Sequence, residues 1–496
     1  MRISAGKQAG FLTYSIAISR LPRQSLRCGM RAREGFCTIN TSMYTRRPSS
    51  FWNILKWFVL STLVGIVVGI VDAAFLKTLD AAIGWRNRFP LYFIGLPVFL
   101  YVIWLLARKA APKAQDYSTD AVINKINSYR PVGVLSAVKS LVLSVLTMTV
   151  GGSAGKEAPC ADAGAGIGSV LGRILRMSAE DQRKMMICGV SAGFAGVFGV
   201  PISGALFGLE VLWVGHIFYD VMFPAFIAGI TAFQVTTWLG VDYIYHPMNF
   251  APVFAEQFFL KVVLAGLFFG VVAIMFTEVL KFAKVLFRYI SLRTSPFWRS
   301  FIGGAVLVAV GLAFSPLYLG LGMDGFNGIL AGGELHSPFG FLIKSFTTAI
   351  TFAAGGVGGI VTPIFFVGAQ SGAVLAPLLG TDTATMAALG LVAVLAGAAN
   401  TPLSASIMAI ELFGAEIAPY AAVACVISFL LSGRQSVYGS QRISFDKESL
   451  DNPAEPVSYD HADKARRMSG RKGLLLKTFK EMSKHLVPRF EDDEKK

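Results

Sequence analysis

Gly151-Gly152-Ser153-Ala154-Gly155-Lys156-Glu157-Ala158-Pro159 returns in altered form, inside apolar sequence, as Gly355-Gly356-Val357-Gly358-Gly359-Ile360-Val361-Thr362-Pro363. At this offset of 204, Gly151/Gly355, Gly152/Gly356, Gly155/Gly359, Pro159/Pro363, Gly164/Gly368, Ala165/Ala369, Gly168/Gly372, Val170/Val374 and Leu171/Leu375 are identical. A second register, at offset 201, matches Gly189/Gly390, Ala195/Ala396, Gly196/Gly397, Pro201/Pro402, Ser203/Ser404 and Glu210/Glu411. The two halves are repeats of each other. Repeated halves with Gly- and Pro-interrupted apolar segments point to a transport site built between them.

Pro159 suits the first turn of a helix, where its missing N–H costs nothing. A helix starting there presents unpaired N–H groups and the positive end of its dipole, an anion site. Glu157 stands at that same terminus. As a carboxylate it fills the anion site, and when protonated or displaced it vacates it, which makes it a gate and a proton carrier. The plainer reading is a capping carboxylate, but acids inside a membrane are costly and tend to be functional. The second break carries no acid and offers backbone N–H groups, those of Ile360 and Val361. Two helix starts facing one point imply inverted repeats. The plainer alternative is a pair of small-residue packing motifs.

Composition sets the class. Of the 496 residues, 54% are hydrophobic, 12% aromatic and only 15% charged, and mean hydropathy is +0.58, which describes a multi-span membrane protein. The clearest spans are 52–76, 91–107, 257–283 and 301–319, each near the length that crosses a bilayer. Shorter or broken apolar segments cover 136–150, 159–176, 186–213, 340–354, 361–380 and 387–413, as suits partial helices buried among others. The net charge of +15 comes largely from Lys and Arg flanking the membrane region and does not signal nucleic acid. Nine Arg/Lys against one acid, Glu34, in the first fifty residues place the N-terminus in the cytoplasm, and the basic tail after Tyr438 places the C-terminus there too. The same leader has the Arg-rich, acid-poor composition of an organelle transit peptide. An over-extended start, with Met43 as the natural beginning, is the alternative reading of residues 1–42.

The five cysteines and five histidines show no metal-ligand spacing, and no phosphate loop or nucleophile–base pair is present, so an enzyme, a cofactor and ATP-driven transport are not expected.

Gly155-Lys156-Glu157-Ala158-Pro159 resembles the G-[KR]-E-G-P signature of the CLC chloride channel and transporter family. Gly359 to Pro363 resembles its G-x-F-x-P signature, and Val437-Tyr438 its late tyrosine segment. The similarity also takes in Gly189–Leu212 and Gly390–Phe413 and runs over about residues 50–445. It implies an all-α integral membrane protein of about eighteen tilted helices in two inverted-topology repeats, forming a homodimer with one anion pathway per subunit. By resemblance Glu157 gates, Ile360 and Val361 lend backbone amides, Gly155 and Lys156 complete the first loop, and the Tyr438 hydroxyl donates to the central anion.

Three departures qualify that picture. The family's early serine loop, G-S-G-x-P, is essentially absent; ungapped counting puts Tyr117 in the serine slot, and Ser118 fits it only with a one-residue slip. Val211 follows Glu210 where proton-coupled members often carry an acid, so the inner proton relay is lost. Ala158 and Val361 replace a glycine and an aromatic. Glu210 and Glu411, themselves repeat-related, read as structural caps at internal helix ends.

The expected organisation is a basic leader (1–50), membrane repeats at 51–240 and 241–445, and a polar cytoplasmic tail (446–496). After Tyr438 only 58 residues follow, too few for the paired nucleotide-sensing modules of larger members. The expected function is chloride conduction across a lipid bilayer, passive because of Val211. A proton-coupled chloride antiporter is the alternative, and a fluoride or nitrate transporter ranks lower. The expected location is the cell (inner) membrane, or an organelle membrane if 1–42 is a transit peptide.

Overall fold

The computed structural model describes residues 50–110, 119–247, 256–333, 335–444, 447 and 457–458. The leader expected at 1–50 lies outside these residues but for Ser50, as does the tail at 446–496 but for Lys447 and a two-residue strand. Among the described residues there are sixteen α-helices. The first half holds α1 (Ser50–Arg86), α2 (Leu96–Ala110), α3 (Thr119–Asn127), α4 (Val134–Thr149), α5 (Glu157–Ile174), α6 (Ala179–Phe198), α7 (Pro201–Glu210) and α8 (Tyr219–Trp238). The second holds α9 (Glu256–Arg293), α10 (Pro296–Ala313), α11 (Met323–Leu330), α12 (Gly340–Ala354), α13 (Val361–Leu379), α14 (Thr383–Ala399), α15 (Pro402–Phe413) and α16 (Ala418–Leu431).

Five helices, in α1, α8, α9, α10 and α13, are long and apolar enough to cross a membrane. The expected span 52–76 belongs to a helix of 37 residues. At 1.5 Å per residue it is about 55 Å long, well beyond a hydrocarbon core of about 30 Å, so it tilts or extends past the core. The expected segment 186–213 is two helices. Gly199, in the left-handed region at φ 73°, ends α6, and Pro201 opens α7. The segment 387–413 divides the same way, with Asn400 at φ 59° and Pro402.

Repeat-matched glycines set the closest packing. A Cβ on Gly164 would overlap the carbonyl of Gly189, and one on Gly189 the carbonyl of Gly164. Gly368 and Gly390 stand in the same relation in the second half. Only glycine lets α5 meet α6, and α13 meet α14, backbone to backbone.

The halves also contact each other reciprocally. Thr147 Oγ1 accepts from Val357 N at 3.1 Å, and its repeat mate Thr351 accepts from Ser153 N at 3.0 Å. Gly155 N donates to Gly359 O (2.6 Å) and Gly359 N to Gly155 O (2.7 Å), an antiparallel bridge. The chain therefore passes the two breaks in opposite directions, as inverted repeats require. A small sheet pairs the two halves: β1 (Trp213–Val214), between α7 and α8, runs parallel to β2 (Arg442–Ile443), which runs antiparallel to β3 (Val457–Ser458).

Candidate anion site

Two helix starts converge where the breaks cross. Val361 and Thr362 open α13, and Glu157 opens α5. The Glu157 side chain, 2% exposed, reaches across to the other repeat. Its Oε1 accepts from Val361 N at 2.6 Å. Its Oε2 accepts from the Thr362 hydroxyl at 3.0 Å and lies 3.4 Å from Thr362 N. A carboxylate thus occupies the donors that a helix N-terminus offers to an anion. Gly155 and Gly359 are what make room for it, because a Cβ on either would overlap its oxygens.

Tyr438 comes to the same region from beyond α16. It is 3% exposed, and its N–H donates to Ser436 Oγ at 3.0 Å. Its hydroxyl has no hydrogen-bond partner within range among the described residues, though the buried Thr119 side chain lies beside it. Glu157, Asp120 and Asp162 are within its electrostatic reach.

The structure therefore brings together Gly155, Glu157, Val361 and Tyr438. Ile360 is the cap residue before α13 and Lys156 the one before α5. Lys156 is half-buried with its Nζ 5.8 Å from the Phe198 ring centroid. Tyr117 and Ser118 lie outside the described residues. Sequence reasoning passed over two hydroxyls. Thr362 was visible in the second motif, between the two residues assigned to it and Pro363. Thr119 directly follows Ser118 in the stretch set against the serine loop. Val211 is fully buried at the end of α7, its carbonyl accepting from Gln441 Nε2 at 2.9 Å.

The sequence pattern described as "Voltage gated chloride channel" matches residues 98–433. This chain belongs to that family, the CLC proteins. A "Chloride/fluoride channel protein" of Pseudomonas syringae pv. tomato is 35% identical over 415 residues, 81% of this chain and 90% of the relative. An "H(+)/Cl(-) exchange transporter ClcA" of Salmonella paratyphi A is 25% identical over 71% of this chain and 80% of the relative. The crystal structure of a CLC-type fluoride/proton antiporter superposes with a TM-score of 0.75 at 28% identity, covering 80% of this chain and all of the other. The CLC family is a class of anion transporters and channels, not of enzymes, and this member is a multi-pass membrane protein.

Proposed function

We propose that this CLC protein is a proton-coupled antiporter of a small halide, fluoride or chloride, with Glu157 as the group both ions must pass. The observation that carries the reading is the bonding of the Glu157 carboxylate to Val361 N and Thr362. A halide can take those donors only when the carboxylate leaves, and protonation is what lets it leave. The anion and the unprotonated carboxylate thereby compete for one place, and proton uptake by Glu157 opens it to the anion. The names of relatives at 35% and 28% identity support fluoride beside chloride as the anion to test. Val211 favours a second reading, the passive channel, since valine carries no proton. The same proposal has a homodimer in the cell membrane, one pathway per subunit, with both ends cytoplasmic, in keeping with the basic flanks.

The decisive measurement is anion efflux from liposomes holding the purified protein, with internal pH recorded under imposed fluoride and chloride gradients. Uphill proton movement tied to anion flux is expected, and Glu157→Gln should abolish proton movement while anions still leak. Anion flux without any proton movement in the unaltered protein would establish the channel instead.

A further inference from the structure

An antiporter whose inner relay position is Val211 needs another acid, and the fold supplies one. We infer that Asp162 is the inner proton acceptor, passing protons to Glu157 from the side opposite the gate's exit; this rests on the antiport reading. Both residues belong to α5, five positions apart, which is a rise of about 7.5 Å along the axis. From Glu157 the helix runs toward Arg173 and Arg176, the basic end that the positive-inside rule assigns to the cytoplasm. Asp162 therefore lies on the cytoplasmic side of the gate.

Its surroundings are built for a carboxyl group that changes state. Asp162 is 6% exposed. Its Oδ2 accepts from the Ser140 hydroxyl of α4 at 2.7 Å, while its Oδ1 is buried without a hydrogen-bond partner among the described residues. A buried oxygen left unpaired is expensive, and here it is the atom free to take a proton. Half-buried Lys125 of α3 lies within electrostatic reach of Asp162, and so does Tyr438, which also senses Glu157. From α6, the stretch Met185–Phe198 brings no formal charge to α5.

Packing alone does not call for an acid here. The repeat mates of Ser140 and Asp162, at offset 204, are Lys344 and Phe366, with the ammonium 5.2 Å from the ring centroid. The second half fills the same place with an aromatic ring.

In the transport step, Oδ1 gains a proton from cytoplasmic water. Asp162 then gives that proton, through one or two bridging waters, to the Glu157 carboxylate, and Glu157 releases it on the far side. One O–H bond breaks as the next forms, so the pair returns to its starting charge while an anion moves the other way.

The test uses the full chain in liposomes under fluoride and chloride gradients. Asp162→Asn should keep anion flux while the protons moved per anion fall about tenfold or more, and Asp162→Glu should restore coupling. Unchanged coupling in a folded Asp162→Asn would overturn the assignment while leaving antiport standing. Loss of anion and proton flux together, in protein still monodisperse in detergent, would also overturn it, by making Asp162 structural. No proton movement in the unaltered protein would instead remove the antiport reading itself. Should Asp162→Asn not fold, Ser140→Ala, which strips the Ser140 hydroxyl from Oδ2, should slow protons relative to anions, and an unchanged ratio there counts against Asp162.

Discussion

Glu210 and Glu411 each cap a helix in the half of the molecule to which they do not belong. Glu210 accepts from Leu403 N (3.0 Å) and Ser404 N (2.8 Å) at the start of α15. Glu411 accepts from Ile202 N and Ser203 N, both at 2.8 Å, at the start of α7. Between them the Ser203 and Ser404 hydroxyls each donate to the other's carbonyl. The repeat is thus not only a likeness of sequence. It is the device that satisfies four backbone N–H groups at two helix starts.

That exchange predicts a stability effect separate from transport. Glu210→Gln should cost about 2 kcal/mol, since hydrogen bonds to a charged group at a helix start are lost or weakened. Thermal unfolding in detergent measures it. Ion selectivity in the surviving protein should be unchanged, and an altered anion preference would move Glu210 from scaffold to pathway.

Gly359→Ala should force the gate open. The new methyl would overlap Glu157 Oε1, so the carboxylate loses its place at Val361 N. Liposome efflux should show faster anion leak with weakened proton coupling, the direction expected of Glu157→Gln. Slower efflux with coupling intact would mean that the glycine serves the backbone bridge rather than the gate.

Tyr438→Phe removes a buried hydroxyl that has no protein partner among the described residues. If that hydroxyl serves the anion, halide affinity measured by isothermal titration should weaken about fivefold, the worth of one hydrogen bond of about 1 kcal/mol. Thr119→Val tests the neighbouring hydroxyl in the same way. Affinity unchanged in both would take this pair out of the site.

Lys447, beyond the last helix, offers a pH effect. It is 6% exposed, and its Nζ donates to Asn400 Oδ1 and, at 2.8 Å, to Phe429 O and Ser432 Oγ. Burial pushes its amine down to about 7. A lysine with its folded pKa below the unfolded value favours unfolding between the two, as pH falls; the docked segment therefore gains stability as pH rises above about 7. Amide protection at Arg442 and Ser444, which bond to Leu212 O and Val214 O, should rise with pH by up to about tenfold per unit. Lys447→Met should flatten that dependence, and a slope surviving the substitution would exclude Lys447 as its source.

The sequence by itself determined the repeats, the membrane class and the two helix starts, because Gly and Pro act locally. A left-handed turn at Gly199 and a ring at Pro201 stop and start a helix whatever surrounds them. It also made Glu157 conspicuous and marked Glu210 and Glu411 as caps, since acids in apolar sequence must be bonded to something. What those caps bond to was decided only by the tertiary structure. The partner of Glu210 is 193 residues away, and no periodicity reports a contact at that separation. The same holds for Thr362 and Thr119, whose hydroxyls gain meaning only when α13 and α3 are folded against α5 and Tyr438. It holds for Asp162 as well: one more residue of an apolar helix in the sequence, and in the fold a buried carboxyl oxygen with no hydrogen-bond partner among the described residues.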